Sequence, residues 1–275
     1  MTELPEERAF RALTDKITRA RGICCEAYKD RCLKRRIAVR MRARGVHNFA
    51  DYIRVLDEDA HEYDLLLDAL TINVTKFFRN AETWAALAPY LTARWQARAG
   101  ALSVWSAGCA SGEESYTIAV ALAETARVTR TLDWLPRARV LATDIDRASL
   151  ERAQAARYPP SAFSEMPAAL LRRWIEPAAP DGTRTPREPI RQLVRVQRHD
   201  LTHERAPDTA LDLVVCRNVV IYFDRSRQER LFRTFAEALR PEGLLLLGKV
   251  ETLLGPARDL LHLEDVRERI YRRPV

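Results

Sequence analysis

The chain has 275 residues, of which 47% are hydrophobic, and carries a formal net charge of +7. This length and composition provide enough apolar surface for a sizeable core and exclude an intrinsically disordered protein. The acidic first residues are not typical of a secretory signal, and no apolar run reaches the roughly 20 residues that span a bilayer. We therefore expect a soluble, cytoplasmic protein.

Residues 1 to about 80 show helical periodicity without strand alternation. The apolar spacing predicts helices over 13–23, 29–44, 49–56 and 63–72. We expect these helices to form an all-helical amino-terminal domain over 1–80.

The second predicted helix is strongly basic, because 29–44 contains eight basic residues and one acid. Leu33, Ile37 and Met41 recur at helical spacing and leave most of the circumference cationic. Such a face indicates an acidic partner. The alternative is a solvated surface helix without a partner.

From residue 81 onward, helices alternate with short apolar strands, which is typical of a parallel sheet. Strands are predicted over 102–107, 138–143, 193–196, 211–216 and 244–247, with helices over 81–99, 114–127, 149–156 and 225–239. Prolines interrupt 158–191, which we interpret as an inserted subdomain, and 261–266 with 269–273 suits a closing antiparallel pair. The fold class is therefore α/β, with a Rossmann-like domain over 81–275.

A glycine-bracketed turn between Gly108 and Gly112 joins the first strand to the next helix. Glycines let the backbone approach a ligand closely, and we expect free N–H groups there to face that ligand. The following strand ends at Asp144, where a carboxylate can accept hydrogen bonds from ribose hydroxyls. The two features together predict a nucleoside site.

Two further polar clusters accompany this turn. Arg217, Asn218 and Tyr222 follow the 211–216 strand, and the carboxyl ends of parallel strands are where ligands bind. Taken alone, Tyr222, between Ile221 and Phe223, is better explained as a packed aromatic than as a functional residue. Asn73, Thr75 and Arg79 are spaced to offer donors to a pocket, with a capped helix as the alternative.

Three strings resemble the CheR-type chemotaxis receptor glutamate methyltransferases, in that family's order and approximate spacing. They are Thr71-Ile72-Asn73-Val74-Thr75-Lys76-Phe77-Phe78-Arg79, Ser106-Ala107-Gly108-Cys109-Ala110-Ser111-Gly112-Glu113-Glu114-Ser115-Tyr116 and Cys216-Arg217-Asn218-Val219-Val220-Ile221-Tyr222-Phe223-Asp224. The strand end Ala142-Thr143-Asp144-Ile145-Asp146 also matches.

The resemblance implies a class I methyltransferase domain that uses S-adenosylmethionine to esterify receptor glutamates, with a small β-subdomain at the 158–191 insertion. It implies that the residues nearest the transferred methyl are Arg79 and Tyr222. It implies that the donor-binding residues are Asn73, Thr75, Arg79, Gly108, Glu114, Asp144, Asp200, Leu201, Arg217 and Asn218.

The implied partner is the acidic methylation region of a chemoreceptor, bound by the basic helix through Lys34, Arg35, Arg36 and Arg40. We expect a monomer that neither inserts into a membrane nor binds nucleic acid. Five cysteines without Cys-x-x-Cys spacing predict reduced thiols, and no metal site is predicted.

Two positions depart from the family pattern. Gly248-Lys249-Val250-Glu251 stands where the family usually has Gly-His-Ser-Glu, and Ser115 replaces a usual proline. The first departure puts any role carried over to that loop in doubt.

Two other functions remain open from the sequence. One is a non-catalytic S-adenosylmethionine-binding signalling or scaffold protein. The other is a nucleic-acid methyltransferase, which the charge of +7 favours. The segment after the 211–216 strand lacks the prolines that base methyltransferases use beside a flipped base, which argues against the second function.

Overall fold

The computed structural model describes residues 5–21, 25–70, 75–202 and 204–275. The chain forms two compact units. The first unit comprises 1–73 together with 222–227, and the second comprises 74–221 and 228–275. The sequence had placed a single boundary near residue 80. The short stretch 222–227, which includes Tyr222, thus belongs to the helical unit although it lies far along the chain.

The described part of the first unit contains the helices α1 (Pro5–Arg21), α2 (Asp30–Ala43), α3 (Phe49–Glu58) and α4 (Ala60–Leu70). Helix α1 packs on α3, and α4 packs on both α2 and α3. Leu33, Ile37 and Met41 are buried, as the apolar spacing of the basic segment predicted. Helix α3 begins where the Asn48 side chain accepts a hydrogen bond from the backbone N–H of Asp51.

The second unit contains a seven-stranded sheet in the order β3-β2-β1-β4-β5-β7-β6. Its first five strands are parallel neighbours, and β7 runs antiparallel to β5 and β6. The strands are β1 (Ser103–Ala107), β2 (Arg139–Asp144), β3 (Val194–Arg198), β4 (Leu211–Cys216), β5 (Leu239–Leu247), β6 (His262–Asp265) and β7 (Ile270–Arg272). The predicted Rossmann-like fold and its closing antiparallel pair are confirmed.

Helices cover this sheet and bury its central strands, because all residues of β1 and β4 are buried. Helix α6 contacts both α5 and β2, and α7 contacts β2 and β3. The helices of this part of the chain are α5 (Ala81–Ala97), α6 (Glu113–Val128), α7 (Arg147–Ala155), α8 (Ala168–Trp174), α9 (Glu188–Arg191), α10 (Arg225–Ala238) and α11 (Ala257–Leu260).

The insertion 158–191, all of which the structure describes, is less regular than the expected β-subdomain. It consists of short helical turns and two isolated β-bridges, Tyr158 with Arg184 and Ile175 with Pro186. Proline cannot donate to a strand ladder, so the prolines that marked the insertion also limit its strands to single bridges.

Among the described residues, the helices are all too short or too polar to cross a bilayer.

Candidate active site

The turn between β1 and α6 forms the centre of the candidate site. Gly108 and Gly112 both have positive φ, +79° and +94°. A Cβ on Gly108 would lie 2.6 Å from Val219 Cγ2, and one on Gly112 would lie 2.8 Å from Ala153 Cβ. Glycine is therefore required at both positions by conformation and by packing.

The expectation of free N–H groups along this turn is wrong for its first three residues and for Gly112, whose N–H donates to the Cys109 carbonyl at 3.0 Å. The backbone N–H groups of Gly108 and Cys109 donate to the Thr143 carbonyl at 2.8 and 2.9 Å. That of Ala110 donates to Asp144 Oδ2 at 2.9 Å. These donors tie the turn to the end of β2 and so do not form an anion cradle, which suits a ligand without phosphate.

Asp144 and Asp200 lie at the same edge of the sheet. Asp144 Oδ1 accepts the Asp146 N–H at 3.0 Å, and burial raises the pKa of the Asp144 carboxyl. The N–H of His199 donates to the Asp144 carbonyl at 2.9 Å, which places Asp200 next to this strand end. Asp144 keeps lone pairs beyond these bonds, because each oxygen can accept twice, whereas Asp200 Oδ1 already accepts the N–H and the hydroxyl of Thr202 at 2.8 and 2.6 Å.

Glu114, at the start of α6, is an acid of the site with a strongly raised pKa. Burial raises the pKa of Glu114 to about 7, against the opposing influences of Arg217 and of a hydrogen bond from Ser106. Ser106 Oγ donates to Glu114 Oε1 at 3.1 Å, and Arg217 Nη1 lies 3.9 Å from Glu114 Oε2. A carboxylate that is only 12% exposed and has so little compensation suits a cationic ligand group.

Arg217 follows β4 and is buried at 7% exposure. Its Nη2 donates to Asn80 Oδ1 at 2.9 Å, and its guanidinium lies 5.5 Å from the centre of the Trp84 ring. Trp84 Nε1 in turn donates to the carbonyl of Arg79 at 3.2 Å. The Arg79 and Arg217 charges both act on Glu114, so the structure brings these three predicted residues together. Sequence reasoning missed Asn80 and Trp84, which carry no charge signal.

The segment after Arg217 is held by a residue that the sequence had left in doubt. Asn218 has φ +62°, and its backbone N–H donates to Glu251 Oε2 at 2.9 Å. The N–H of Val219 and that of Val220 donate to Glu251 Oε1 at 3.0 and 2.9 Å. Glu251 lies about 30 positions further along the chain, so sequence spacing alone gave no signal for this contact.

The remaining predicted site residues have fewer contacts in common with Glu114, Arg217 and Asp144. Thr75 and Leu201 are half-buried. Asn73 lies outside the described residues. Tyr222 belongs to the helical unit, where the Arg36 guanidinium stacks 4.3 Å above the centre of its ring and its carbonyl accepts the Lys29 N–H at 2.9 Å.

The four predicted receptor-binding residues of α2 have different surroundings. Arg40 forms a bidentate pair with buried Glu62, and Lys34 Nζ lies 2.8 Å from Glu7 Oε2. Arg36 is buried, whereas Arg35 is exposed. The exposed basic face of α2 therefore consists of Arg31, Arg35 and Arg42.

The residues at the carboxyl edge fit the donor that the resemblance implies. Glu114 offers a carboxylate for an amino acid ammonium, and Asp144 offers oxygens for ribose hydroxyls. The fold and this site define a class I S-adenosylmethionine-dependent methyltransferase.

Comparison with known proteins identifies the family. Residues 73–269 match the family described as CheR methyltransferase, SAM binding domain, and residues 8–71 match CheR methyltransferase, all-alpha domain. The chain belongs to the CheR methyltransferase family.

Three relatives resemble the chain over most of its length. It is 34% identical to the chemotaxis protein methyltransferase of Klebsiella aerogenes, over 91% of this chain and 85% of that protein. It is 34% identical to chemotaxis protein methyltransferase 2 of Pseudomonas aeruginosa, over 89% and 86% of the two chains. The chemotaxis protein methyltransferase of Listeria monocytogenes is 33% identical, over 91% and 92%.

Proposed function

We propose that this protein transfers a methyl group from S-adenosylmethionine to glutamate side chains of chemoreceptors and forms glutamate methyl esters. The observation that carries the proposal is the grouping of Glu114, Arg217 and Asp144 around the glycine turn of a CheR-family chain. The names of its relatives, chemotaxis protein methyltransferases, support the pathway and the receptor as partner.

The proposed acceptor chemistry makes modest demands on the protein. A glutamate side chain, with an ordinary pKa of about 4.3, is already ionised at neutral pH and needs no general base. S-adenosylmethionine supplies a methyl group on a positively charged sulfur. Because the opposite charges of acceptor and sulfonium disappear on transfer, a poorly hydrated pocket that aligns them favours the reaction.

On the donor side, Glu114 receives the ammonium of the methionine moiety and Asp144 accepts the ribose hydroxyls. Asp200 and Leu201 flank the adenine, and Gly108 lies in the turn beside the donor, where its positive φ and the close approach of Val219 require glycine. Arg217 and Asn218 lie beneath the donor, with Arg217 fixed by its bond to Asn80. Asn73 and Thr75 complete the methionine end.

The proposed catalytic residues act by orientation. Arg79 positions a carboxylate, that of the donor or that of the acceptor, through charge-assisted hydrogen bonds. Tyr222 orients the acceptor through its hydroxyl. The stacked Arg36 guanidinium restricts the Tyr222 ring, which lowers the entropy that the side chain loses on binding.

The proposed partner surface is the basic face of α2. Methylation regions of such receptors are acidic, so a cationic helix attracts them and increases the rate of encounter. Of the residues that the sequence favoured, Arg35 is the best placed, because Arg40, Arg36 and Lys34 already have partners within the helical unit.

The test is incubation of the purified protein with methyl-labelled S-adenosylmethionine and a receptor cytoplasmic fragment. We expect label on the receptor that alkali releases as volatile methanol, and no label on a fragment whose acceptor glutamates are replaced by alanine. Asp144→Ala serves as the donor-site control and should abolish labelling. Alkali-stable label would contradict ester formation. Calorimetric binding of the donor without any transfer would indicate a non-catalytic sensor, and label on DNA or RNA would indicate the nucleic-acid alternative.

A further inference from the structure

Glu251 is a buried carboxylate, 3% exposed, that accepts five backbone N–H groups. Its Oε2 accepts from Asn218 at 2.9 Å and from Gly248 at 2.7 Å. Its Oε1 accepts from three consecutive residues, Val219 at 3.0 Å, Val220 at 2.9 Å and Ile221 at 3.4 Å. We refer to residues 218–221 as the β4 exit loop.

Five donors on one carboxylate are far more than a surface acid obtains. Burial raises the pKa of Glu251, and the bonds from the loop and from Gly248 oppose that rise. A buried charge is tolerated when hydrogen bonds replace its lost hydration. The loop in turn gains acceptors for N–H groups that no strand or long helix uses at this point.

Gly248 is part of the same arrangement. A Cβ at this position would lie 2.6 Å from Glu251 Oε2 and 2.9 Å from the Asn218 nitrogen, so only glycine lets the two segments approach. The intervening residues do not participate: Val250 is 74% exposed, and Lys249 pairs with Glu82 and Glu268. The Lys249-Val250 departure therefore leaves the Glu251 contacts intact.

The β4 exit loop connects two functional positions of the chain. Arg217, the residue before the loop, and Asn218, its first residue, are proposed beneath the donor, and Tyr222, proposed to orient the acceptor, is the next residue after its end. A second bond, from Gln228 Nε2 to the Val220 carbonyl at 2.9 Å, holds the middle of the loop. Three of the four loop amides bond to the single oxygen Oε1, so this atom holds most of the backbone that leads into Tyr222.

We propose that Glu251 is a positioning residue of the methyl transfer, which fixes the β4 exit loop so that Tyr222 meets the acceptor in a productive orientation. The inference rests on the proposed function. We expect Glu251 to affect turnover and not donor affinity, because its carboxylate bonds to loop amides and not to the side chains proposed to hold the donor.

The experiment compares Glu251→Gln with the wild type in the receptor methylation assay. Whichever way the glutamine amide is oriented, its NH₂ group replaces one acceptor oxygen and faces at least two backbone N–H donors. We expect kcat to fall about 10- to 100-fold, as for other small misplacements of reacting groups, with the donor Kd from calorimetry changed less than about threefold. Val250→Ser, at an exposed neighbouring position, is the matched control and should retain full turnover.

A double-mutant cycle separates positioning from general damage. If Glu251 acts through Tyr222, adding Glu251→Gln to Tyr222→Phe should lower kcat less than about threefold further, because the affected contact is already lost. An equal loss in both backgrounds would overturn the proposal, as would a donor Kd that rises in parallel with the loss of kcat.

Two further variants keep the test decisive if Glu251→Gln does not fold. Gly248→Ala should reproduce the kcat defect by pressing on Oε2 without changing charge, and Glu251→Asp should give an intermediate loss. Folded variants with full turnover would refute the role of Glu251 while the proposed function stands. A wild-type protein that binds donor but never labels receptor would remove both proposals.

Discussion

Arg40 and Glu62 form a bidentate ion pair inside the helical unit, with Nε to Oε1 at 2.9 Å and Nη2 to Oε2 at 2.7 Å. Tyr52 donates to the same Oε1 at 2.7 Å, and Glu62 is fully buried. Burial acts to raise the pKa of Glu62, yet the bonds from Arg40 and Tyr52 hold it below its usual value. This pair therefore ties the basic helix α2 to α4, and its primary role is structural.

Arg40→Ala should accordingly destabilise the helical unit. Removing one partner leaves a buried carboxylate without its cation, which costs about 3 to 5 kcal/mol in comparable cases. Arg44 Nε, 3.9 Å from Glu62 Oε2, offsets part of that loss. We expect a decrease of about 2 to 4 kcal/mol in the free energy of unfolding, measured by urea denaturation. Arg42→Ala, on the exposed face, should change it by less than about 0.5 kcal/mol, and an equal effect of the two would contradict this role.

The receptor-binding role of α2 is tested at its exposed positions. We expect the double charge reversal Arg35→Glu/Arg42→Glu to raise the KM for receptor fragment about tenfold at low salt with little change in kcat, because attraction to an acidic helix is lost. The difference should shrink at 0.5 M salt. Reversal of Arg230 and Arg233, exposed on α10, is the charge-matched control. If both pairs change KM alike, only net charge is responsible.

Tyr222→Phe removes one hydroxyl and keeps the ring that stacks on Arg36. If that hydroxyl orients the acceptor, kcat should fall about 10- to 100-fold while the calorimetric donor Kd stays within about threefold. Unchanged turnover would exclude Tyr222 from the mechanism.

Much of the fold follows from the sequence because apolar periodicity reports burial directly. The 211–216 strand was predicted with the bounds that β4 has, since a fully buried parallel strand is a nearly continuous apolar run, here interrupted only by Asp212. Strand β5 was predicted only over 244–247 but begins at Leu239. Pro241, Glu242 and Gly243 are typical of a turn, yet here they lie in a strand where Glu242 has φ +65° and the register against β4 shifts. Register depends on the partner strand, which local sequence does not specify.

Part of the candidate site could also be predicted from the sequence, because some of its residues follow a local pattern. Glycines and an aspartate at strand ends signal a ligand edge, which located Gly108 and Asp144. The contacts of Glu251 join segments about 30 residues apart, and the aromatic ring beside Arg217 comes from α5. Such pairings appear only once the sheet has placed β4, β5 and α5 side by side.

Glu114 should couple donor binding to proton release. Its pKa of about 7 in the free protein means that near neutral pH the carboxyl is about half protonated. A cationic ligand group stabilises the ionised form, so binding lowers the pKa and releases about half a proton near pH 7, and affinity declines as pH falls from 7.5 to 5.5. Calorimetry in buffers of different ionisation enthalpy measures the number of protons released per donor bound. Glu114→Gln should bind more weakly and release none, and proton uptake by the wild type would contradict the assignment.

The same raised pKa should make Glu114 a destabilising group at alkaline pH. Its folded-state pKa exceeds the unfolded value of about 4.3, so protonation of this carboxyl contributes to stability at low pH. That contribution is lost progressively as pH rises from about 4.3 through 7. Glu114→Gln mimics the protonated form at every pH. We expect it to unfold at a higher temperature than the wild type at pH 8 and at a similar temperature at pH 4, in scanning calorimetry without donor. A variant less stable than the wild type at pH 8 would show that the ionised carboxylate is instead well compensated, and that the interpretation of Glu114 as a site kept ready for a cation is wrong.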